Sequence, residues 1–349
     1  MALTSTTALA GLVPAQYPRH EAHAPERIWV EKNCYVDIWL ELLHALGLEP
    51  MAMLAFTVGI DFLGDQWTFF KPPHTELREL YGIEVQELYL WRPLLEHALE
   101  HLEAGRLIAT EADAYWLPDT AGSDYRTQHT KTTIVLNAID PAIRRLDYFH
   151  NAGYHRLEGE DFSQLFRLQA PPDPAYLPLF AELVCCEGLH REAPAALRVR
   201  ARALLGAHLQ HLPARNPVRA FAARFAAELP RLAAQGLPAY HAWAFGNLRQ
   251  LGAAAELAAL FLRWLQLDAQ APGTLAPAAQ AYLQIAAGCK TLILKAARAV
   301  NKRSALDAGA ALEEMALAWE QATALLRGAT VLPDEAVLRP TVVLRSAAV

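Results

Sequence analysis

The stretch Glu31-Lys32-Asn33-Cys34-Tyr35-Val36-Asp37-Ile38-Trp39-Leu40 reads as the start of a helix. Asn33 has the side chain of an N-cap, able to accept from an amide of the first turn. Val36, Trp39, Leu40, Leu43 and Leu46 follow at three- and four-residue spacing and define one buried face, and Gly47 supplies a residue that closes such a helix. Cys34 falls in the first turn, where unpaired N–H groups and the helix dipole favour a thiolate and can donate to an oxyanion. A thiol packed as a small apolar residue is the competing reading. The capped helix start is what raises a nucleophile to equal standing with it.

Outward from this helix, residues 1–168 mix apolar bursts, aromatics and turn residues. Helices are expected near 34–46, 74–81 and 91–104, and strands near 52–58, 67–70, 107–112, 131–137 and 145–150. Pro171-Pro172-Asp173-Pro174 then breaks the chain, and the Ala- and Leu-rich remainder predicts about six helices. The fold class is therefore α+β followed by an all-helical domain. The expected divisions are a mobile arm over 1–25, an α+β domain over 26–168, a helical domain over 175–330 and a tail over 331–349.

The 349 residues are 53% hydrophobic and 19% charged, a globular composition. Residues 1–170 hold 13 Lys and Arg against 24 Asp and Glu, and residues 171–349 hold 18 against 13. That split of −11 and +5 argues against nucleic acid on the first domain and admits an acidic partner on the second. No membrane-spanning stretch and no charged leader stand out, so the cytoplasm is the expected location. Cys34, Cys185, Cys186 and Cys289 lack the spacing of a disulfide framework or a structural zinc site and are expected as reduced thiols. Cys185 and Cys186 are expected in an apolar helix over 179–189.

A nucleophilic cysteine needs a base, and Gln128-His129-Thr130-Lys131-Thr132-Thr133-Ile134-Val135-Leu136-Asn137 offers His129 at the entrance of a strand. Arg145-Leu146-Asp147-Tyr148-Phe149-His150-Asn151 reads as its antiparallel partner. In such a hairpin the end of the second strand lies beside the start of the first, which selects Asn151 to orient His129, with Asp147 and His150 as alternatives. Asp140, on the order of 30 Å off at the turn, is excluded by distance. Asp113 and Tyr115 end a strand and divide evenly between a structural role and substrate contact. Trp67, Phe69 and Phe70 are expected in the core.

His97-Ala98-Leu99-Glu100-His101 matches an HxxEH zinc pattern, but the apolar stripe around it fits an ordinary helix with a solvated face, and no metal is expected. His20, Glu21 and His23 lie in the arm and rank lower still as ligands. Phosphate-binding and dinucleotide fingerprints are missing, so no nucleotide cofactor is expected.

The order Cys, His, Asn, with the cysteine opening a helix, resembles the papain-like cysteine peptidase superfamily. Asn33-Cys34, the loop Gly59-Ile60-Asp61-Phe62-Leu63-Gly64, Val85 to Leu90 and Ala112-Asp113-Ala114-Tyr115-Trp116-Leu117-Pro118 are similar to the butirosin biosynthesis protein H family of acyltransferases. With the runs 128–137 and Tyr148-Phe149-His150-Asn151-Ala152-Gly153-Tyr154-His155, the chain is identified as a member of a bacterial domain-of-unknown-function family, DUF1839. The resemblance implies acyl or aminoacyl transfer through a Cys34 thioester, from the phosphopantetheine arm of a carrier protein to an amine acceptor, with no bound cofactor. A cysteine peptidase, amidase or thioesterase, or a non-enzymatic carrier-binding module, are the alternatives.

The glutamine that completes a papain-type oxyanion hole is missing from 28–32, which leaves Asn33 or Gln66 for that place. Asp113 and Tyr115 fall in the shared motif and are candidates for substrate binding. Lys295, Arg298 and Lys302, within about 60° on a helix, form either a solvated face or a docking site for an acidic carrier.

Overall fold

The computed structural model describes residues 4–171, 177–268 and 270–329. Its centre is an antiparallel sheet in the order β4 (Glu84–Glu87), β9 (Ala181–Cys185), β5 (Leu107–Asp113), β6 (Lys131–Asp140), β7 (Arg145–His150) and β8 (Gly153–Glu158). The short β1 (Thr6–Thr7) pairs with the far end of β6, and β2 (Phe62–Leu63) with β3 (Gln66–Trp67) forms a separate hairpin. The architecture is α+β with an antiparallel sheet, followed by a helical region.

Side-chain alternation gives the sheet two different faces. Leu107, Ala109, Val135, Phe149 and Val184 join the core around α1 (Cys34–Ala45). Ile108, Ile134, Leu136, Tyr148 and Leu157 pack on the other side with α3 (Leu94–Glu103) and α4 (Glu160–Leu165). Helix α1 begins as read: Asn33 is extended at φ −139° and ψ 151°, and its Oδ1 accepts from the Val36 amide at 2.9 Å. It ends on Gly47 at φ +66°, with the Leu48 amide donating to the Leu43 carbonyl.

Two expectations fail for one physical reason, the ambiguity of a short apolar run buried on all sides. Residues 50–59, read as containing a strand, form a 3-10 helix buried along nearly its whole length. Residues 181–185, read as helix, form β9 between β4 and β5, so Cys185 sits on a strand and Cys186 just beyond it. The α+β unit consequently extends past 168 into β9. Phe69 is exposed, while Trp67 and Phe70 are buried.

The expected mobile arm is seated on α1. Ala22 and His23 are each 1% exposed, and the Glu41 carboxylate accepts from the Tyr17 hydroxyl and the His20 amide. His23 bridges Glu41 and Asp37, its Nε2 lying 3.0 Å from Asp37 Oδ1. The tail over 331–349 lies outside the described residues.

Among the described residues six helices follow: α5 (Pro194–Gln210), α6 (Pro217–Gln235), α7 (Leu237–Ala244), α8 (Gln250–Leu265), α9 (Leu275–Lys302) and α10 (Gly309–Ala329). A π-helical turn over Phe245–Arg249 joins α7 to α8. These helices share one continuous core with α1 and the 50–59 turn, so the two halves meet through apolar packing rather than across a linker. No helix among the described residues is long and apolar enough to cross a membrane.

Candidate active site

Cys34 is the first residue of α1 and is partly exposed. Its Sγ lies 3.9 Å from Thr133 Oγ1 on β6. The sheet register explains the setting. Ala109 pairs with Val135 and Glu182 beneath the helix; Glu111 pairs with Thr133 at the helix start; Asp113 pairs with Lys131 beyond it. The helix thus covers the Ala109–Val135 rung together with buried Glu182, and leaves Glu111, Thr133, Asp113 and Lys131 partly or fully exposed. Cys34 stands at that boundary.

Asn33 is buried and both ends of its amide are occupied, since its Nδ2 donates to the Phe70 carbonyl at 2.9 Å. It is a cap and a tie to the 70–74 segment, not the spare oxyanion donor suggested above. The free donors here are the amides of Cys34 and Tyr35, which have no partner among the described residues. Gln66 is exposed on the β2–β3 hairpin, whose Trp67 packs on Phe62 and on Phe221 of α6. It has no bond to the Asn33–Cys34 segment.

His129 does not touch Cys34. It precedes Thr133 by four residues, roughly 13 Å along an extended chain. Its Nδ1 hydrogen-bonds Asp113 Oδ2 at 2.6 Å, and its ring stacks on Tyr115 at 4.4 Å and 15°. Asp113, Tyr115 and His129 therefore form one unit at the open end of the floor, and Asp113 occupies the orienting place assigned to Asn151.

Asn151 adopts φ +45° in the two-residue turn between β7 and β8, a left-handed conformation that asparagine tolerates. The strand turns back there, before it comes level with His129. Of the alternatives, Asp147 takes both arms of Arg156 at 2.6 and 2.8 Å. His150 points to the opposite face, where its Nε2 lies 2.7 Å from Thr132 Oγ1 and its Nδ1 2.6 Å from Asp119. Burial alone would raise the Asp119 carboxyl, but the bond and charge of His150 outweigh it and hold the group below its ordinary range.

Several residues at the site escaped the sequence reading. The Tyr35 hydroxyl donates to buried Glu182 at 2.6 Å and lies 2.7 Å from His74 Nε2. Burial, with the Glu182 charge adding to it, pushes the Tyr35 hydroxyl far up, and burial lowers His74. From the helical half, Glu256 accepts the amides of Ile28 and Trp29, each at 2.8 Å. Arg249, at the end of the π-helical turn, donates to the carbonyls of Glu31 and Lys32. Lys32 Nζ donates to the carbonyls of Ala22, Trp29 and Val30. The peptide leading into Cys34 is held from both halves of the chain. A carboxylate two turns into a helix carries no sequence signal of such a role.

In the HxxEH segment His97 is buried edge-on to Trp91, and Glu100 pairs with Arg92.

Residues 18–186 match the DUF1839 N-terminal domain and residues 194–328 the DUF1839 C-terminal domain. The chain belongs to the DUF1839 family. No curated protein matches it.

Proposed function

We propose that the chain carries an acyl or aminoacyl group as a thioester on Cys34, taking it from a phosphopantetheinyl carrier protein and passing it to an amine, on a papain-like arrangement of helix and sheet in the cytoplasm. The observation that carries the reading is the place of Cys34: first residue of a capped helix, partly exposed, beside two unpartnered amides and at the edge of a polar sheet floor. Those amides are donors suited to the oxyanion of a tetrahedral intermediate.

In the first step the Cys34 sulfur bonds to the donor's carbonyl carbon, the bond to the carrier's sulfur breaks, and the thiol proton passes to the departing sulfur. The acceptor nitrogen then attacks the same carbon, the Cys34 carbon–sulfur bond breaks, and the amine's proton returns to Cys34. Exchange between thioesters suits the neighbourhood better than amide hydrolysis does. An amine leaving group must be protonated as it departs, usually by an imidazole in contact with the nucleophile, whereas Thr133 occupies that position here.

The same threonine favours, as a second reading, a carrier-binding module without chemistry. Intact-mass measurement after incubation with acyl- and aminoacyl-loaded carrier proteins separates the two. An adduct on the wild type that is lost in Cys34→Ala supports the thioester. No adduct with any loaded carrier, together with a Cys34 inert to iodoacetamide near neutral pH, sinks it.

A further inference from the structure

Helix α9 runs for 28 residues, Leu275–Lys302, without one acidic side chain. Its solvent side carries Lys290, Leu294, Lys295, Arg298 and Lys302, all exposed. At 100° per residue they fall within an arc of about 140°. Surface helices ordinarily interleave both signs, because opposite charges one turn apart stabilise them. On α6 the cations are paired: Arg224 and Arg231 with Glu228 one turn away on the same helix, and Arg219 with Glu313 and Glu320 of α10. None of the four α9 cations makes an ion pair with a described residue. The helix dipole accounts for a cation in the last turn, where Lys302 stands, but not for Lys290 and Lys295 further in.

The stripe has a definite place relative to Cys34. Lys290 Nζ lies 4.5 Å over the ring of Trp29, and the Trp29 indole donates to the Ala286 carbonyl at 3.3 Å. Trp29 opens the clamped peptide that leads into Cys34. From Lys290 the stripe extends roughly 18 Å to Lys302 at 1.5 Å per residue. Leu294, 56% exposed, lies in its middle and offers an apolar contact among the charges.

We infer that this face of α9 is the docking surface for a small acidic protein, the carrier that brings the acyl group to Cys34; the inference rests on the thioester reading above. A single cationic helix face with an apolar centre fits one acidic helix of a small protein. A nucleic acid or a membrane would extend beyond it over the first half of the chain, whose charge of −11 repels both.

The test titrates a phosphopantetheine-bearing, unloaded acyl carrier protein into the full chain and into the triple variant Lys295→Glu, Arg298→Glu, Lys302→Glu. These three side chains are exposed and free of ion pairs among the described residues, and Lys290 is left in place to keep its contact with Trp29. In parallel, acylation of Cys34 is followed by intact mass with the same acyl group on the carrier and on free pantetheine.

The expected result is carrier binding weakened about tenfold or more by charge reversal and by added salt. The variant is then acylated slowly from the carrier and normally from pantetheine. Equal binding to wild type and variant, or no binding to either, overturns the docking surface. Charge-dependent binding to phosphatidylserine vesicles or duplex DNA without carrier binding also overturns it. Charge-dependent carrier binding with a Cys34 that neither thioester acylates leaves the surface standing and sinks the thioester reading.

Discussion

Across 3.9 Å, Cys34 Sγ faces the hydroxyl of Thr133, so the position opposite the thiol holds a side chain with no basic nitrogen. Thr133→His would place an imidazole there. A contacting base contributes on the order of a hundredfold or more to proton transfer. The variant is expected to raise the rate of Cys34 alkylation near neutral pH at least about tenfold, and to shift the pH profile of that rate. Alkylation by iodoacetamide across a pH series measures it, and an unchanged profile would show that residue 133 does not govern the thiol.

Glu256 is 2% exposed and takes the amides of Ile28 and Trp29. In Glu256→Gln one amide keeps an oxygen partner and the other meets an NH2 group. Bonds to charged acceptors contribute about 1.5–3 kcal/mol each, and a buried orphan donor costs a similar amount. A loss of about 2 kcal/mol in urea unfolding is expected, with altered Cys34 alkylation because the same peptide sets its position.

A Cβ on Gly252 would lie 2.6 Å from Trp29 Nε1 and under 3 Å from two further atoms of that ring. Gly252→Ala therefore has to push Trp29 out of its seat on α8. Overpacking of this kind costs about 1–3 kcal/mol, read as a lowered urea midpoint. A midpoint at or above the wild-type value would contradict the packing.

Burial by itself would lower the His23 pKa, but hydrogen bonds and charges from Asp37 and Glu41 outweigh it, and the net shift is upward. A raised folded-state pKa gives stability that is complete below the unfolded value near 6.5 and is lost as pH rises through the folded one. His23→Gln is expected to cost on the order of 3 kcal/mol in mildly acidic solution and progressively less as the pH rises. Urea midpoints of both proteins over a pH series check the sign. A gap that widens toward alkaline pH would refute it.

How much of this could be read in advance depends on whether the signal is local. The start of α1 was legible because Asn33, Cys34 and the apolar spacing after them sit within one or two helical turns. The β6–β7 pairing was legible from alternation and a short turn, and the observed strand Arg145–His150 coincides with the expected one. The partner of His129 was not, because Asp113 arrives on β5 from the other side of β6. Antiparallel neighbours joined by a long connection leave no spacing rule to find. The buried contacts of Glu41, Glu182 and Glu256 were invisible for the same reason, since each carboxylate answers a group brought to it only by the fold.

The continuous core that joins α1 to the C-terminal helices also bears on how such a chain can evolve. Its two family segments look separable in sequence, and the first closes the cluster between the sheet, α3 and α4 by itself, yet its core around α1 is completed only by the helices of the second. Recombination that paired either half with a foreign neighbour would expose Trp29, the 50–59 turn and one flank of α8 together. The two segments are therefore expected to be inherited as a pair, and to lose function as a pair when either is lost.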